Sequence, residues 1–108
     1  IFSYNIPIII AHLGSFGLLE DDLDVAQRIV GRYPNVFFDT AGCSPSLIRK
    51  AINMLSSNKI IFGSDSLYNR MTYSLYFVYI STRNLENEDQ NVALQNILST
   101  NIQKIVNL

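Results

Sequence analysis

The sequence has one cysteine, one histidine, no tryptophan and few charges, and each shortage excludes a class of protein. Cys43 is alone, so no disulfide framework staples the chain. Charged residues make up 16% against 48% hydrophobic, a balance that a disordered tail does not have. Lys and Arg number 8 against 9 Asp and Glu, so the basic excess of a nucleic-acid binder is missing. The longest apolar stretch, Ile6 to Leu13, is interrupted by Pro7 and His12 and falls far short of the roughly 20 residues of a membrane helix. A lone thiol without an Asn-X-Ser/Thr acceptor fits a reducing, cytoplasmic setting. The 108 residues begin at Ile1 with no charged-then-apolar leader, and are expected to be the C-terminal segment of a longer protein.

What is present is a repeated strand-then-helix pattern with no linker or low-complexity run. Pro7–Ala11, Val36–Phe38 and Lys59–Gly63 are short runs rich in apolar, β-branched or aromatic residues. They are apolar throughout, the pattern of parallel strands covered on both faces. Leu23, Ala26, Val30 and Tyr33 recur at helical spacing behind the acidic Glu20, Asp21 and Asp22, and Pro34 ends that helix. Ile48, Ala51, Ile52 and Leu55 mark a second helix, started by Ser44-Pro45 or by Ser46. Leu75, Val78, Tyr79 and Thr82 share a face of a third. Leu94, Ile97, Leu98, Ile102, Ile105 and Val106 form a terminal stripe, with Asn87 and Gln90 as its capping box.

The order β-α-β-α-β-α-α, with strands starting about 24 to 28 residues apart, fits an α/β fold built from βαβ units. It suits an open doubly wound sheet or part of a (β/α)8 TIM barrel. A full barrel spends roughly 31 residues per unit, so the chain amounts to about three and a half units. Three strands do not close a barrel, and such a piece by itself leaves a sheet edge and apolar surface uncovered.

The ionisable residues lie where the strands end. The first run leads into His12, the second into Asp39 and Thr40, and the third into Ser64, Asp65 and Ser66. That edge carries the active site in both architectures. An imidazole and a carboxylate converging there from strands two units apart can bind a divalent metal, or one can ligate while the other moves protons. The plainer alternative is a hydrogen-bonded histidine bracing a loop and an aspartate capping a helix.

Three blocks carry a family resemblance: Ile8-Ile-Ile-Ala-His12-Leu-Gly14, Tyr33-Pro-Asn-Val-Phe-Phe-Asp39-Thr-Ala-Gly42, and Lys59-Ile-Ile-Phe-Gly-Ser-Asp65-Ser66. With the terminal Ile97-Leu-Ser-Thr-Asn101 they cover nearly the whole chain. Together they resemble the C-terminal part of the amidohydrolase-related metal-dependent hydrolases, in the branch that includes aminocarboxymuconate-semialdehyde decarboxylase-like enzymes. The resemblance implies strands six to eight of a (β/α)8 barrel with a divalent metal, zinc first, at its mouth. Asp65 then matches a metal-ligand aspartate that also helps activate water. His12 matches a histidine that binds substrate or transfers protons in mononuclear members and ligates a second metal in binuclear ones. The family's His-X-His pair and fifth-strand histidine have no counterpart in these residues, so this segment offers one or two ligands where a stable site needs three or more.

The implied activity is hydrolysis of a small organic acid or carbonyl compound through metal-activated water, or non-oxidative decarboxylation with the same residues. A non-catalytic segment that binds an anion or a protein partner, and a truncated pseudo-enzyme, are the alternatives. Two departures stand out: Leu67 replaces the proline that many relatives carry after Ser-Asp-Ser, and Leu85 to Ile97 is longer by about one helical turn.

The remaining candidates are secondary. Ser66, Tyr68 and Arg70 are expected to meet substrate, with Arg70 suited to a carboxylate. Asp39 and Thr40 either order the mouth or satisfy loop amides. Gly14 and Gly17 either cradle a phosphate or shape a turn. Cys43 stands near a helix start, where the dipole lowers a thiol pKa, but it has no base beside it in sequence and reads better as a small buried thiol. The aromatic band Tyr73, Tyr76, Phe77 and Tyr79 is expected to pack against the barrel or a second subunit of a homo-oligomer.

Overall fold

In the computed structural model, residues 6–14, 22–64 and 71–107 are described. Three parallel strands form one sheet: β1 (Ile8–Ile10), β2 (Val36–Asp39) and β3 (Ile60–Ile61), in that spatial order. The register pairs Ile8 with Val36, Ile10 with Phe38, and Phe38 with Ile60. Paired residues share a face, so Ile8, Ile10, Val36, Phe38 and Ile60 point to one side. Helices α1 (Asp22–Arg32) and α2 (Pro45–Leu55) contribute to the same core as that face. Its fully buried members include Leu23, Val36, Phe38, Ile48, Ile52 and Ile60. The other face carries Ile9, 43% exposed, and the half-buried Phe37. The same face carries the buried Ile61 of β3, so the expected burial on both faces is met at β3 and falls off toward Ile9 of β1.

Local chemistry sets the helix boundaries. Ser44 is the N-cap of α2: its Oγ accepts the Leu47 N–H at 3.3 Å, and Pro45 follows where its missing N–H costs nothing. Leu47, Ile48, Ala51, Ile52 and Leu55 are the buried stripe of α2. Helix α1 buries Leu23 and Ala26 and ends before Pro34. Helix α3 (Met71–Ser81) departs from the expected face. Val78 and Thr82 are buried, but Leu75 and Tyr79 are 41% and 51% exposed. Only one side of α3 meets α2, and an apolar sequence all round the helix gives no periodic signal to choose that side.

The C-terminal region is three pieces: α4 (Gln90–Gln95), a π-helical turn (Asn96–Thr100) and α5 (Asn101–Val106). Asp89, not an Asn87–Gln90 box, caps α4, its Oδ2 accepting the Asn91 and Val92 N–H groups at 3.0 and 3.2 Å. The return from π to α spacing leaves one carbonyl without a helical partner. The Ile97 carbonyl accepts the Phe62 N–H at 3.0 Å. Asn101, fully buried, donates from Nδ2 to the Ser57 and Ile60 carbonyls at 2.6 and 2.8 Å. These bonds satisfy the Ile60 carbonyl and the Phe62 N–H, which point away from β2. The inward line is thus Ala93, Ile97 and Asn101, while Leu98, Ile102 and Val106 of the expected stripe are exposed. Among the described residues, no helix is long and apolar enough to cross a membrane.

Candidate active site

Asp39 ends the central strand, and its neighbours in space are the ends of the other two. On one side lies His12. The chain after β1 enters a tight turn, Ala11–Gly14, in which His12 and Leu13 take left-handed conformations at φ 59° and 53°. Each such residue costs roughly 1–2 kcal/mol in an L-amino acid, so the turn needs external support. Leu13 supplies part of it by complete burial. Asp39 supplies another part: its Oδ1 accepts the His12 N–H at 2.9 Å. The same oxygen accepts the Ala41 N–H at 3.1 Å.

The imidazole of His12 is oriented from the same loop. Its Nδ1 lies 2.7 Å from the Ala41 carbonyl oxygen. A carbonyl only accepts, so Nδ1 carries the hydrogen, and a neutral ring then has its lone pair on Nε2. Gly42 sits behind the ring at φ +71°, where a Cβ would stand 3.4 Å from Nδ1. The left-handed backbone is what favours glycine at this position, since a Cβ at that distance from the ring would be in ordinary contact.

On the other side lies the end of β3. The Thr40 N–H donates to the Ile61 carbonyl at 3.1 Å. The Thr40 hydroxyl accepts the Gly63 N–H at 3.3 Å and lies 3.4 Å from the Gly63 carbonyl, to which it donates. Gly63 packs directly on Asp39: an added Cβ would meet Asp39 Cγ at 3.2 Å and Ala41 Cβ at 3.3 Å. The segment that leads to Ser64 is held against the segment that holds His12. A cleft of about 570 Å³ opens at this edge, lined among the described residues by Thr40, Gly42, Ser44, Ser64, Tyr73 and Phe77, with others.

Of the residues singled out in the sequence, His12, Asp39, Thr40 and Ser64 come together at one edge. Asp65, Ser66, Tyr68, Arg70 and Gly17 lie outside the described residues. Of the two parts foreseen for Asp39, the structure shows that of satisfying loop amides, those of His12 and Ala41. Cys43 is not an activated thiol: burial, and secondly the negative charge of Asp39, push its pKa from 9.0 up to about 12. Gly63 and Asn101 carry structural roles that spacing did not reveal. The aromatic band is largely uncovered, with Tyr73 65% exposed and Phe77 alone partly buried in the core.

The strand ends gather at one rim, with the histidine oriented by a backbone carbonyl. The model of the amidohydrolase family matches residues 4–108. The chain belongs to the amidohydrolase family. No curated protein and no solved structure matches it. Amidohydrolase membership brings metal-dependent hydrolase or lyase chemistry. The described residues fit a metal as one contributor: a histidine whose Nδ1–H is bonded to a carbonyl presents Nε2 as metal-ligating histidines do. They do not make a complete site, since no group of three or more His, Cys, Asp or Glu is found among them.

Proposed function

We propose that residues 1–108 form the last three βα units of a (β/α)8 barrel and that the protein hydrolyses a small organic acid or related carbonyl compound. The observation that carries this reading is the convergence of His12, Asp39–Thr40 and Gly63–Ser64 on one sheet edge, in a chain of the amidohydrolase family. Asp65 follows Ser64 directly in sequence.

In this reading Asp65 would hold the divalent metal, with zinc as its identity, and His12 either faces the substrate or ligates a second ion. Further ligands come from outside these residues. A bound divalent cation lowers the pKa of water to about 7 and polarises a carbonyl. The chain's own residues do the rest. The Asp65 carboxylate takes the proton of the attacking water. His12, with its lone pair on Nε2, would take a proton at that atom and return it to the leaving group as the bond between that group and the carbonyl carbon breaks. The cleft at this edge is lined by Ser64 and Tyr73, which carry hydroxyls, and by the apolar Ile48 and Phe77, among others. That lining suits a compact substrate, and Ser66, Tyr68 and Arg70 extend it, with Arg70 pairing a carboxylate. A substrate of this kind is in keeping with the aminocarboxymuconate-semialdehyde decarboxylase-like branch.

The test is Asp65→Asn in the protein as it exists. Bound metal, measured by elemental analysis, and turnover of small amide, ester and lactone carboxylic acids are expected to fall together, turnover by at least about a hundredfold, the scale of a lost general base. Unchanged metal and turnover in that variant would reject the proposal, as would release of carbon dioxide as the sole reaction.

A further inference from the structure

His12 is the only histidine of the 108 residues, and its ring is held in one tautomer by a hydrogen bond whose two ends lie on different loops. One end is His12 itself, in a left-handed turn after β1. The other is the Ala41 carbonyl, after β2. Neither loop is regular structure, so the bond forms only if both backbones are fixed relative to each other. Beyond the β1–β2 pairing and the burial of Leu13, one atom joins the two loops directly: Asp39 Oδ1 accepts the His12 N–H at 2.9 Å and the Ala41 N–H at 3.1 Å. The carboxylate stands on the central strand, and Gly63 packs against its Cγ, where an added Cβ would make a tight contact of 3.2 Å. Bonds from a carboxylate to amides are stronger than neutral ones.

We propose that Asp39 is a positioning residue for His12: by holding the two amides that flank the imidazole–carbonyl bond, it sets the ring in the Nδ1–H form and keeps the lone pair on Nε2. The use made of that lone pair rests on the hydrolase reading; the tautomer does not. Free neutral histidine favours the opposite form, with the hydrogen on Nε2, so the choice is imposed by the loop.

The test is nitrogen NMR of the full, metal-free chain with labelled histidine, at a pH where the ring is neutral. The wild type is expected to show a protonated-type shift at Nδ1 and a lone-pair-type shift at Nε2. Asp39→Asn keeps an oxygen acceptor at the same place and is expected to retain that pattern. Asp39→Ala is expected to lose it, the two nitrogens moving toward the averaged shifts of a free ring. A part confined to stability would lower the melting temperature of Asp39→Ala and leave the tautomer alone, and that result overturns the proposal. If Asp39→Ala does not fold, hydrogen exchange of the wild type decides. The His12 and Ala41 amides are expected to be protected together, and exchange of both at free-loop rates overturns the proposal. An Nδ1–H ring that depends on Asp39, in a protein without hydrolase activity, upholds the positioning role while the hydrolase reading fails. Activity with an Nε2–H ring does the reverse.

Discussion

Cys43 stands one residue before the cap of α2, where the helix dipole favours a thiolate, yet its pKa moves the other way. Burial of the thiol and the nearby Asp39 charge outweigh a dipole effect worth typically 0.3–1 kcal/mol. The sign of the consequence follows. The folded state favours the protonated thiol, so this contribution to stability is fully present below the unfolded pKa of 9.0 and is lost as pH rises toward about 12. Urea unfolding through that window is expected to show a steeper loss of stability for the wild type than for Cys43→Ala, other titrations being common to both. Equal slopes would count against the burial of the thiol. At this scale the sequence was informative where partners are neighbours. Ser44-Pro45 reads as a cap because the amide it serves is three residues away. The left-handed backbone of His12 is invisible, because the oxygen that supports it comes from Asp39 on another strand.

Among the elements, the path from α4 through the π-turn to α5 shows best how tertiary demands reshape local pattern. The apolar stripe from Leu94 to Val106 correctly marks helix, but the π-turn shifts the buried line onto Ala93, Ile97 and Asn101. The turn lets the Ile97 carbonyl serve Phe62, and no periodicity within the helix announces a partner on β3. Asn101 sits in the block quoted for its family resemblance, and its two bonds to the Ser57 and Ile60 carbonyls explain why an amide stands in the core. Asn101→Ala leaves both carbonyls without their donor, and a buried orphaned polar group costs about 1–3 kcal/mol. The variant is expected to lose roughly 2–4 kcal/mol of stability in chemical denaturation. A loss under about 0.5 kcal/mol, the range of an ordinary surface substitution, would show that water replaces the amide.

For the whole molecule, three apolar runs between helical segments pointed to a parallel sheet, as observed, while the strand order, sequential in the structure, stayed open between a doubly wound sheet and a barrel. Apolar runs do not say which strand face is covered, and here α1 and α2 serve one face while Ile9 remains exposed on the other. The aromatic residues of α3 are likewise exposed, because only one side of that helix meets α2. The candidate site was legible as a set of strand ends, His12, Asp39 and Ser64; the clamps between them were not, since Thr40 and Gly63 meet across the sheet. The central claim is that His12 and Asp65 open onto one cavity around a divalent ion. The most direct test is to locate that ion by anomalous diffraction from crystals of the protein grown with zinc. Zinc is expected on the Asp65 carboxylate, with the His12 imidazole facing the same cavity. Zinc seated elsewhere, or the two side chains turned to opposite rims of the sheet, would contradict that claim.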